Sequence, residues 1–168
     1  MTKYLPLSFI IFWSSAFISG QFIVQSASPF AALTFRFIIV AICFLAFSYY
    51  FKEKIFINIK LILQASITGI LFHGFYLGGV FFSYSVGLTA TLSALIVGLQ
   101  PILTNILSGP ILNERVTIVQ WIGITLGFIG TVMVIGYEIG SSIPLLGVIS
   151  SIIALLGATI ATIWQNKF

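Results

Sequence analysis

The sequence predicts an all-α fold, a polytopic bundle of six transmembrane helices, and two observations support this prediction. First, 60% of the 168 residues are hydrophobic and only 6% are charged, whereas soluble domains carry about 25% charged residues. Second, the apolar residues form six long runs, each close to the ~20 residues that a helix needs to cross a bilayer. The runs are continuous rather than alternating, which favours helices over the strands of a barrel.

The six predicted spans are joined by short connections, so consecutive spans are expected to be antiparallel neighbours. The spans cover residues 4–24, 30–51, 62–84, 90–111, 116–137 and 145–165. The connections read QSASP, KEKIFINIKL, SVGLT, LNER and EIGSSIP. None of them is long enough to form a soluble domain.

The basic residues indicate how the bundle is oriented. Six of the seven Lys and Arg residues fall on one side if the spans alternate in direction: Lys3, Lys52, Lys54, Lys60, Arg115 and Lys167. Because Lys and Arg accumulate in cytoplasmic loops, we expect both termini in the cytoplasm and the bundle in the cell (inner) membrane. The basic residues form no stripe that would follow a phosphate backbone, so no nucleic-acid partner is expected.

Span 1 carries more polar side chains than a lipid-facing helix needs. Ser14, Gln21 and Gln25 recur at spacings of seven and four residues, and Trp13 lies beside them. These spacings place the polar residues on one helical face, which we interpret as facing the bundle interior. Ordinary hydrogen bonding between helices is the alternative. The segment has features of a signal peptide, but its apolar run continues through Val24, so a retained span is expected.

Span 2 contains an intramembrane arginine, Arg36, about seven residues from its outer end, or roughly 10 Å below the start of the helix. The side chain either snorkels to the headgroups or faces the interior, because a lipid-facing arginine costs at least about 2.5–3.5 kcal/mol. Glu138 is the acidic residue predicted at the same end of the membrane. Cys43, the single cysteine, lies in the same span and is expected to be a small apolar side chain without a metal or redox role.

Span 3 places His73 and Tyr76 on one face together with Tyr84. Histidine titrates near physiological pH, so His73 is interpreted either as a proton carrier or as a hydrogen-bonding partner of a neighbouring helix. On an adjacent face, Gly74 and Gly78 form a GxxxG pair. Small residues at this spacing allow helices to approach closely, so a packing role is predicted.

Span 4 combines a polar face with a proline. The face repeats at spacings of seven, four and four residues: Ser93, Gln100, Thr104 and Ser108. Pro101 cannot donate a backbone hydrogen bond to the carbonyl of Val97, so a helix kink is predicted there. A free carbonyl in hydrocarbon needs a partner or water. The face is therefore interpreted as lining a hydrated cavity, with a kink that serves packing alone as the alternative.

Span 5 contains glycines at helical spacings, which predict close packing as in span 3. They are Gly123, Gly127 and Gly130. Nowhere in the sequence do we find an HExxH motif, a phosphate-binding loop, a nucleophile paired with a base or two intramembrane carboxylates. No enzyme, metal site or cofactor is therefore expected.

The segments FWSSAFI, SPFAALTFRF and SYSVGLTATLSALIVGLQPILTNILSGPILNERVTIVQWIGITLGFIGTVMV resemble the first repeat of the EamA-like transporters of the drug/metabolite transporter superfamily. The matching positions are Trp13, Pro29, Arg36, Tyr84, Pro101, Glu114, Gly123 and Gly130. The resemblance implies part of a ten-helix transporter with two inverted five-helix repeats. It assigns residues 1–137 to the first repeat and 138–168 to the first helix of an incomplete second repeat. Ala158 stands where that helix often has a tryptophan.

The resemblance implies transport of small metabolites or drug-like compounds by alternating access, with export as the expected direction. The residues expected along the substrate path are Trp13, Ser14, Arg36, His73, Tyr76, Gln100 and Thr104. Ten spans at this spacing need far more than 168 residues, so the chain is expected to be truncated. The expected partners are the lipid bilayer and a small-molecule substrate, together with a homo-oligomer if a chain of this length is stable.

Two other functions are compatible with the same spans. One is a membrane remnant or scaffold that does not transport. The other is a small multidrug-type oligomeric transporter, which needs nearly balanced basic residues to insert in both orientations. The one-sided distribution of Lys and Arg argues against this second alternative.

The orientation is tested with reporter fusions. A reporter that is active only in the cytoplasm should be active at the C-terminus and inactive when inserted into EIGSSIP. The reason is that the termini and the loops that carry Lys and Arg stay in the cytoplasm, and EIGSSIP lies on the other side of the membrane. The reverse pattern would contradict both the orientation and the number of spans.

Overall fold

The computed structural model describes residues 5–52, 58–112, 117–138 and 143–167, and its regular elements in these ranges are helical, as predicted. The helices are α1 (Leu5–Ser26), α2 (Pro29–Tyr50), α3 (Ile59–Ser85), α4 (Ala90–Val97), α5 (Gln100–Leu112), α6 (Ile118–Glu138) and α7 (Leu145–Asn166). Outside the described residues lie Lys3, Lys54, Glu114, Arg115 and the side chain of Glu138.

Five stretches are long and apolar enough to cross a membrane by length and composition: α1, α2, α3, the pair α4–α5 and α7. Within α6, Ile118–Gly130 is a shorter apolar helix. The fold class predicted from the apolar runs is therefore confirmed. The outer faces of α1 and α2 are strongly apolar, with Phe12 75% and Phe35 70% exposed, as expected of side chains that have lipid as their solvent.

Side-chain oxygens accept hydrogen bonds at the starts of α2 and α4. Ser28 accepts a hydrogen bond from the backbone N–H of Ala31 at 3.4 Å, and Pro29 follows it in the first turn of α2, a position where proline loses no helical hydrogen bond. The start of α4 has a partner from outside its own helix. Gln21 Oε1 on α1 accepts from the backbone N–H of Ala90 at 3.0 Å. Gln21, predicted on the polar face of span 1, therefore ties α1 to α4.

Two of the predicted spans depart from a regular α-helix. The middle of α3, Ile70–Leu77, is a π-helix, a rare geometry that is frequent at functional sites. The fourth span is interrupted between α4 and α5. There the N–H of Gly98 bonds to the carbonyl of Ala94 at 2.7 Å, and a Cβ at position 98 would lie 2.9 Å from that same oxygen. Glycine is therefore required at the break, and Pro101 lies in the first turn of α5.

The last helix, α7, lies at the centre of the bundle. It packs against all of α3 and against α4 and α5. In its most apolar 18-residue stretch 56% of the residues are buried, compared with 6% in each of α1 and α2. Its buried face consists largely of small residues three or four positions apart, a spacing that places them on one side of the helix. They include Ser150, Ser151, Ala154, Gly157, Ala158 and Ala161.

A row of hydroxyls joins three helices inside this contact. Ser83 Oγ on α3 lies 3.2 Å from Ser93 Oγ on α4, which lies 3.1 Å from Ser151 Oγ on α7. All three side chains are fully buried. Beside them, Ser150 Oγ donates to the carbonyl of Gly79 at 2.7 Å. These bonds satisfy polar groups that lipid cannot hydrate, so they help to fix α7 in position.

Glycines bring the backbones of α3 and α7 together, although not at the predicted positions. A Cβ at Gly157 would lie 2.7 Å from Phe75 Cβ and 3.1 Å from the carbonyl oxygen of Leu71. A Cβ at Gly79 would lie 2.9 Å from the carbonyl oxygen of Ser150. The predicted GxxxG glycine, Gly78, lies one residue before Gly79, where the close contact occurs. A Cβ at Gly78 would lie 3.9 Å from the Phe30 ring of α2.

The remaining predicted packing glycines face open space in the described part of the chain. A Cβ at Gly74 would find its nearest neighbour, the side chain of Ile70 on its own helix, at 4.0 Å. A Cβ on α6 would meet no described atom within 4 Å at Gly123, Gly127 or Gly130. Helix α6 lies at the periphery, where it contacts α4 only slightly. A packing role for these four glycines therefore stays a prediction.

Candidate functional site

Three cavities meet near the middle of α3. The largest, which we call the central cavity, has a volume of about 790 Å³ and lies between α1, α4, α5 and the end of α7. The Arg36 cavity, about 300 Å³, lies between α1, α2 and α3. The α3–α7 cavity, about 500 Å³, lies between the first half of α3 and the end of α7.

Aromatic rings from α1 form one wall of the central cavity. The ring of Trp13 stacks on that of Phe9, with centroids 5.4 Å apart, and on that of Tyr76 in α3 at 6.2 Å and an interplanar angle of 10°. Phe17 and Ser14 continue the same wall. Stacked pairs of this kind contribute about 0.5–1.5 kcal/mol each beyond the area that they bury, so the wall is a fixed, flat and amphipathic surface.

The opposite wall is polar because the break between α4 and α5 turns Gln100 toward α7. Gln100 Nε2 donates to Thr162 Oγ1 at 3.0 Å and lies 3.5 Å from the carbonyl oxygen of Ala158. Val97 lines the cavity just before the break, and its carbonyl cannot receive the usual helical hydrogen bond because position 101 is proline. Amide and hydroxyl groups thus face the aromatic wall across the cavity.

Thr104 lies one turn after Gln100 on the same wall. Its hydroxyl oxygen is buried and has no hydrogen-bond partner among the residues that the structure describes. A buried polar atom without a partner is costly unless water or a ligand satisfies it. The hydroxyl of Thr104 therefore needs a partner that the described residues do not supply, and its residue lies in the lining of the central cavity.

The Arg36 cavity collects the other predicted path residues. Arg36, His73 and Tyr76 line it together, and Trp13 belongs to both this cavity and the central one. Arg36 is exposed and has no hydrogen-bond or ion-pair partner within the described ranges. The predicted pairing of Arg36 with Glu138 involves a side chain that lies outside the described residues. A cation without a partner at the edge of an aromatic cavity attracts an anionic group.

His73 lies where the Arg36 cavity meets the α3–α7 cavity. Its ring makes edge-on contacts with Phe37, at a centroid distance of 5.0 Å, and with Phe72 at 6.1 Å. The two cavities provide space on either side of the ring, which a proton carrier needs. These contacts do not test the proton-carrier role or the hydrogen-bonding role, so both stay predictions.

The polar face predicted along span 4 divides at the helix break. Gln100 and Thr104 line the central cavity, whereas Ser93 points to the buried hydroxyls of Ser83 and Ser151. Ser108 is buried and bonds within its own helix to the carbonyl of Asn105 at 3.3 Å. The single-face prediction was wrong for Ser93, whereas Gln100, Thr104 and Ser108 lie at spacings of four on one unbroken helix. The physical reason is that Gly98–Leu99 interrupts the helix, so spacings counted across the break do not describe one face.

Sequence reasoning missed several residues that line the central cavity, among them Phe72, Asn105 and Thr162. Thr162 was detectable in principle, because it lies one turn after Ala158 on the small-residue face of α7. Phe72 gave no signal, since phenylalanine is common throughout the spans. Among the described residues, no three His, Cys, Asp or Glu side chains lie close enough to hold a metal ion.

Comparison with known proteins relates the chain to transporters. The EamA-like transporter family matches residues 4–136 of the chain. An uncharacterized transporter from Archaeoglobus fulgidus is 29% identical over 137 residues, which is 80% of this chain and 48% of that protein. The chain thus spans about half the length of this curated relative. No solved structure matches the chain.

The role of Arg36 is tested by Arg36→Lys. If the planar guanidinium binds an anionic group of the substrate through two hydrogen bonds, lysine cannot replace it, and transport should fall several-fold, with Arg36→Leu worse. Lys60→Leu, at the exposed start of α3, is the control for loss of a cation. A lysine variant that behaves like the wild type would return Arg36 to a snorkelling role and remove it from the site.

Proposed function

Because the chain belongs to the EamA-like transporter family, we propose that it carries a small metabolite or drug-like molecule through the membrane by alternating access, with export as the direction. The single observation that carries this proposal is the central cavity. Its volume of about 790 Å³ lies within the roughly 300–1,000 Å³ of small-molecule sites. The family is one of transporters, so no catalytic residue is assigned.

The position of α7 supports a site between two repeats. In the proposed organisation residues 1–137 form the first repeat and residues 138–168 begin the second, and the family match ends at residue 136. Helix α7 nevertheless packs against the first repeat and lines the central cavity through Thr162. In transporters with inverted repeats the substrate binds near the midplane where the repeats meet, and the central cavity has this relationship to α7.

The lining of the cavities supports a class of substrate. One wall offers the flat surfaces of Phe9 and Trp13, and the other carries the amide of Gln100 and the buried hydroxyl of Thr104. A molecule with a planar apolar part and a few uncharged polar groups fits both walls. In the same proposal Arg36, in the adjoining cavity, attracts an anionic group on the substrate.

The orientation follows from the basic residues. We propose cytoplasmic termini in the cell membrane, which places the start of α3 and the end of α7, and with them the α3–α7 cavity, on the cytoplasmic side. The central cavity then extends from the outer half of α4 toward the inner half of α5. A scaffold and a small multidrug-type oligomer remain the competing outcomes of the experiment below.

The proposed function is tested by a substrate-accumulation screen that compares the wild type with Gln100→Leu. Transport should fall several-fold in this variant, because the amide is lost from the polar wall. Thr162→Val removes the partner hydroxyl and leaves the Gln100 amide free to bind substrate. This variant should therefore retain more transport than Gln100→Leu. Both variants lose the Gln100–Thr162 hydrogen bond, worth about 0.5–1.5 kcal/mol, which makes them a matched pair for stability.

Gln25→Leu is the control, because Gln25 is an exposed glutamine on α1 that does not line the central cavity. Full transport by Gln100→Leu would contradict the assignment of the central cavity as the path. A wild-type chain that is folded and inserted but changes the accumulation of no compound in the screen would favour the scaffold.

A further inference from the structure

The side chain of Phe72 lies at the junction of the three cavities. Of the described residues that line them, it is the one common to all three. Within the described part of the chain, the central cavity and the α3–α7 cavity have no other lining residue in common. This one ring therefore lies on the border between the two spaces.

The Phe72 ring packs against the edge of the buried core and makes two edge-on ring contacts. It packs edge-on against Tyr76 at a centroid distance of 5.1 Å and against His73 at 6.1 Å. Phe72 is half-buried, and its neighbours in the wall, Tyr76 and Trp13, stack on each other with nearly parallel rings. The stacked rings of Trp13 and Tyr76 thus lie beside the Phe72 ring, which borders all three cavities.

The backbone that carries Phe72 is the π-helical segment Ile70–Leu77. A π-helix closes its hydrogen bonds over five residues rather than four, so a return to α-helical bonding rotates the residues inside the segment relative to the helix on either side. On one side the segment is pinned, because Gly157 of α7 leaves no space for even a Cβ beside Phe75 and Leu71. On another side it is open, because a Cβ at Gly74 would meet no described atom closer than 4.0 Å.

We propose that Phe72 is a gate between the central cavity and the α3–α7 cavity, and that the π-helical segment is the element that moves it. The gate opens onto a vestibule with polar lining residues Gln64, Thr68, His73 and Gln165. This inference rests on the proposed transport function, for which it supplies an exit or entry at one face of the membrane. The segment turns about its contact with Gly157, and the ring swings between the two cavities.

The gate is tested by thiol labelling in membrane vesicles, which needs no substrate. Cys43 is the only cysteine and is exposed on α2, so Cys43→Ala provides a background for single cysteines. Thr68→Cys reports on the α3–α7 cavity and Ser14→Cys on the central cavity. A membrane-impermeant maleimide is added to each face of the vesicles in turn, and the face from which it labels Thr68→Cys is taken as the near face.

With Phe72 present, labelling of Ser14→Cys from the near face should be slow. Phe72→Ala should accelerate it several-fold, and Phe72→Leu, which is less disruptive to folding, should give an intermediate rate. Labelling of Thr68→Cys should be unchanged in both variants. Phe44→Ala is the matched control, because Phe44 is 71% exposed and lines none of the three cavities, and it should change neither rate.

Two results would overturn the gate. One is a rate at Ser14→Cys that is the same with phenylalanine, leucine and alanine at position 72. The other is an equal acceleration by Phe44→Ala, which would indicate general loosening of the bundle. If the labelling behaves as expected while the accumulation screen finds no transported compound, the gate stands and the proposed function fails.

Discussion

The close approach of α7 to the middle of α3 is the contact on which the rest of the structure depends. In a bilayer, helices gain little from the hydrophobic effect when they associate, because lipid tails are as apolar as the side chains. Association then relies on close packing and on hydrogen bonds between helices. The contact has both, with Gly157 and Gly79 bringing the backbones together and the hydroxyls of Ser83, Ser93 and Ser151 buried beside them.

The cavities follow from the same contact. Because α7 lies against α3, α4 and α5, it brings Thr162 within hydrogen-bond distance of Gln100 and completes the polar wall of the central cavity. It also supports one side of the π-helical segment, which carries residues that line all three cavities. The small residues of α7 thus act on the candidate site in two ways, by shaping its wall and by holding the irregular helix that carries Phe72 and His73.

The sequence was sufficient to predict the spans, because the thickness of the bilayer dictates their length and lipid requires their outer faces to be apolar. It also identified side chains that line a cavity, including Trp13, Gln100 and Thr104. Helical spacing failed where the helix is not regular. The break at Gly98 separates Ser93 from Gln100, and no propensity signals a π-helix at Ile70–Leu77. The GxxxG pair in span 3 indicated close packing, but contact with α7 occurs at Gly79, because the rotation of a helix depends on its partners.

The central claim, that α7 organises the bundle through its glycine contact with α3, is tested most directly by the thermal stability of two matched variants in detergent. Gly157→Ala places a Cβ 2.7 Å from Phe75 Cβ, whereas Gly123→Ala places one where no described atom lies within 4 Å. Overpacking costs about 1–3 kcal/mol, while alanine in an open helical position gains roughly 0.5–1 kcal/mol over glycine. The account predicts a lower unfolding temperature for Gly157→Ala and an unchanged or higher one for Gly123→Ala. Equal stability of the two variants would contradict it.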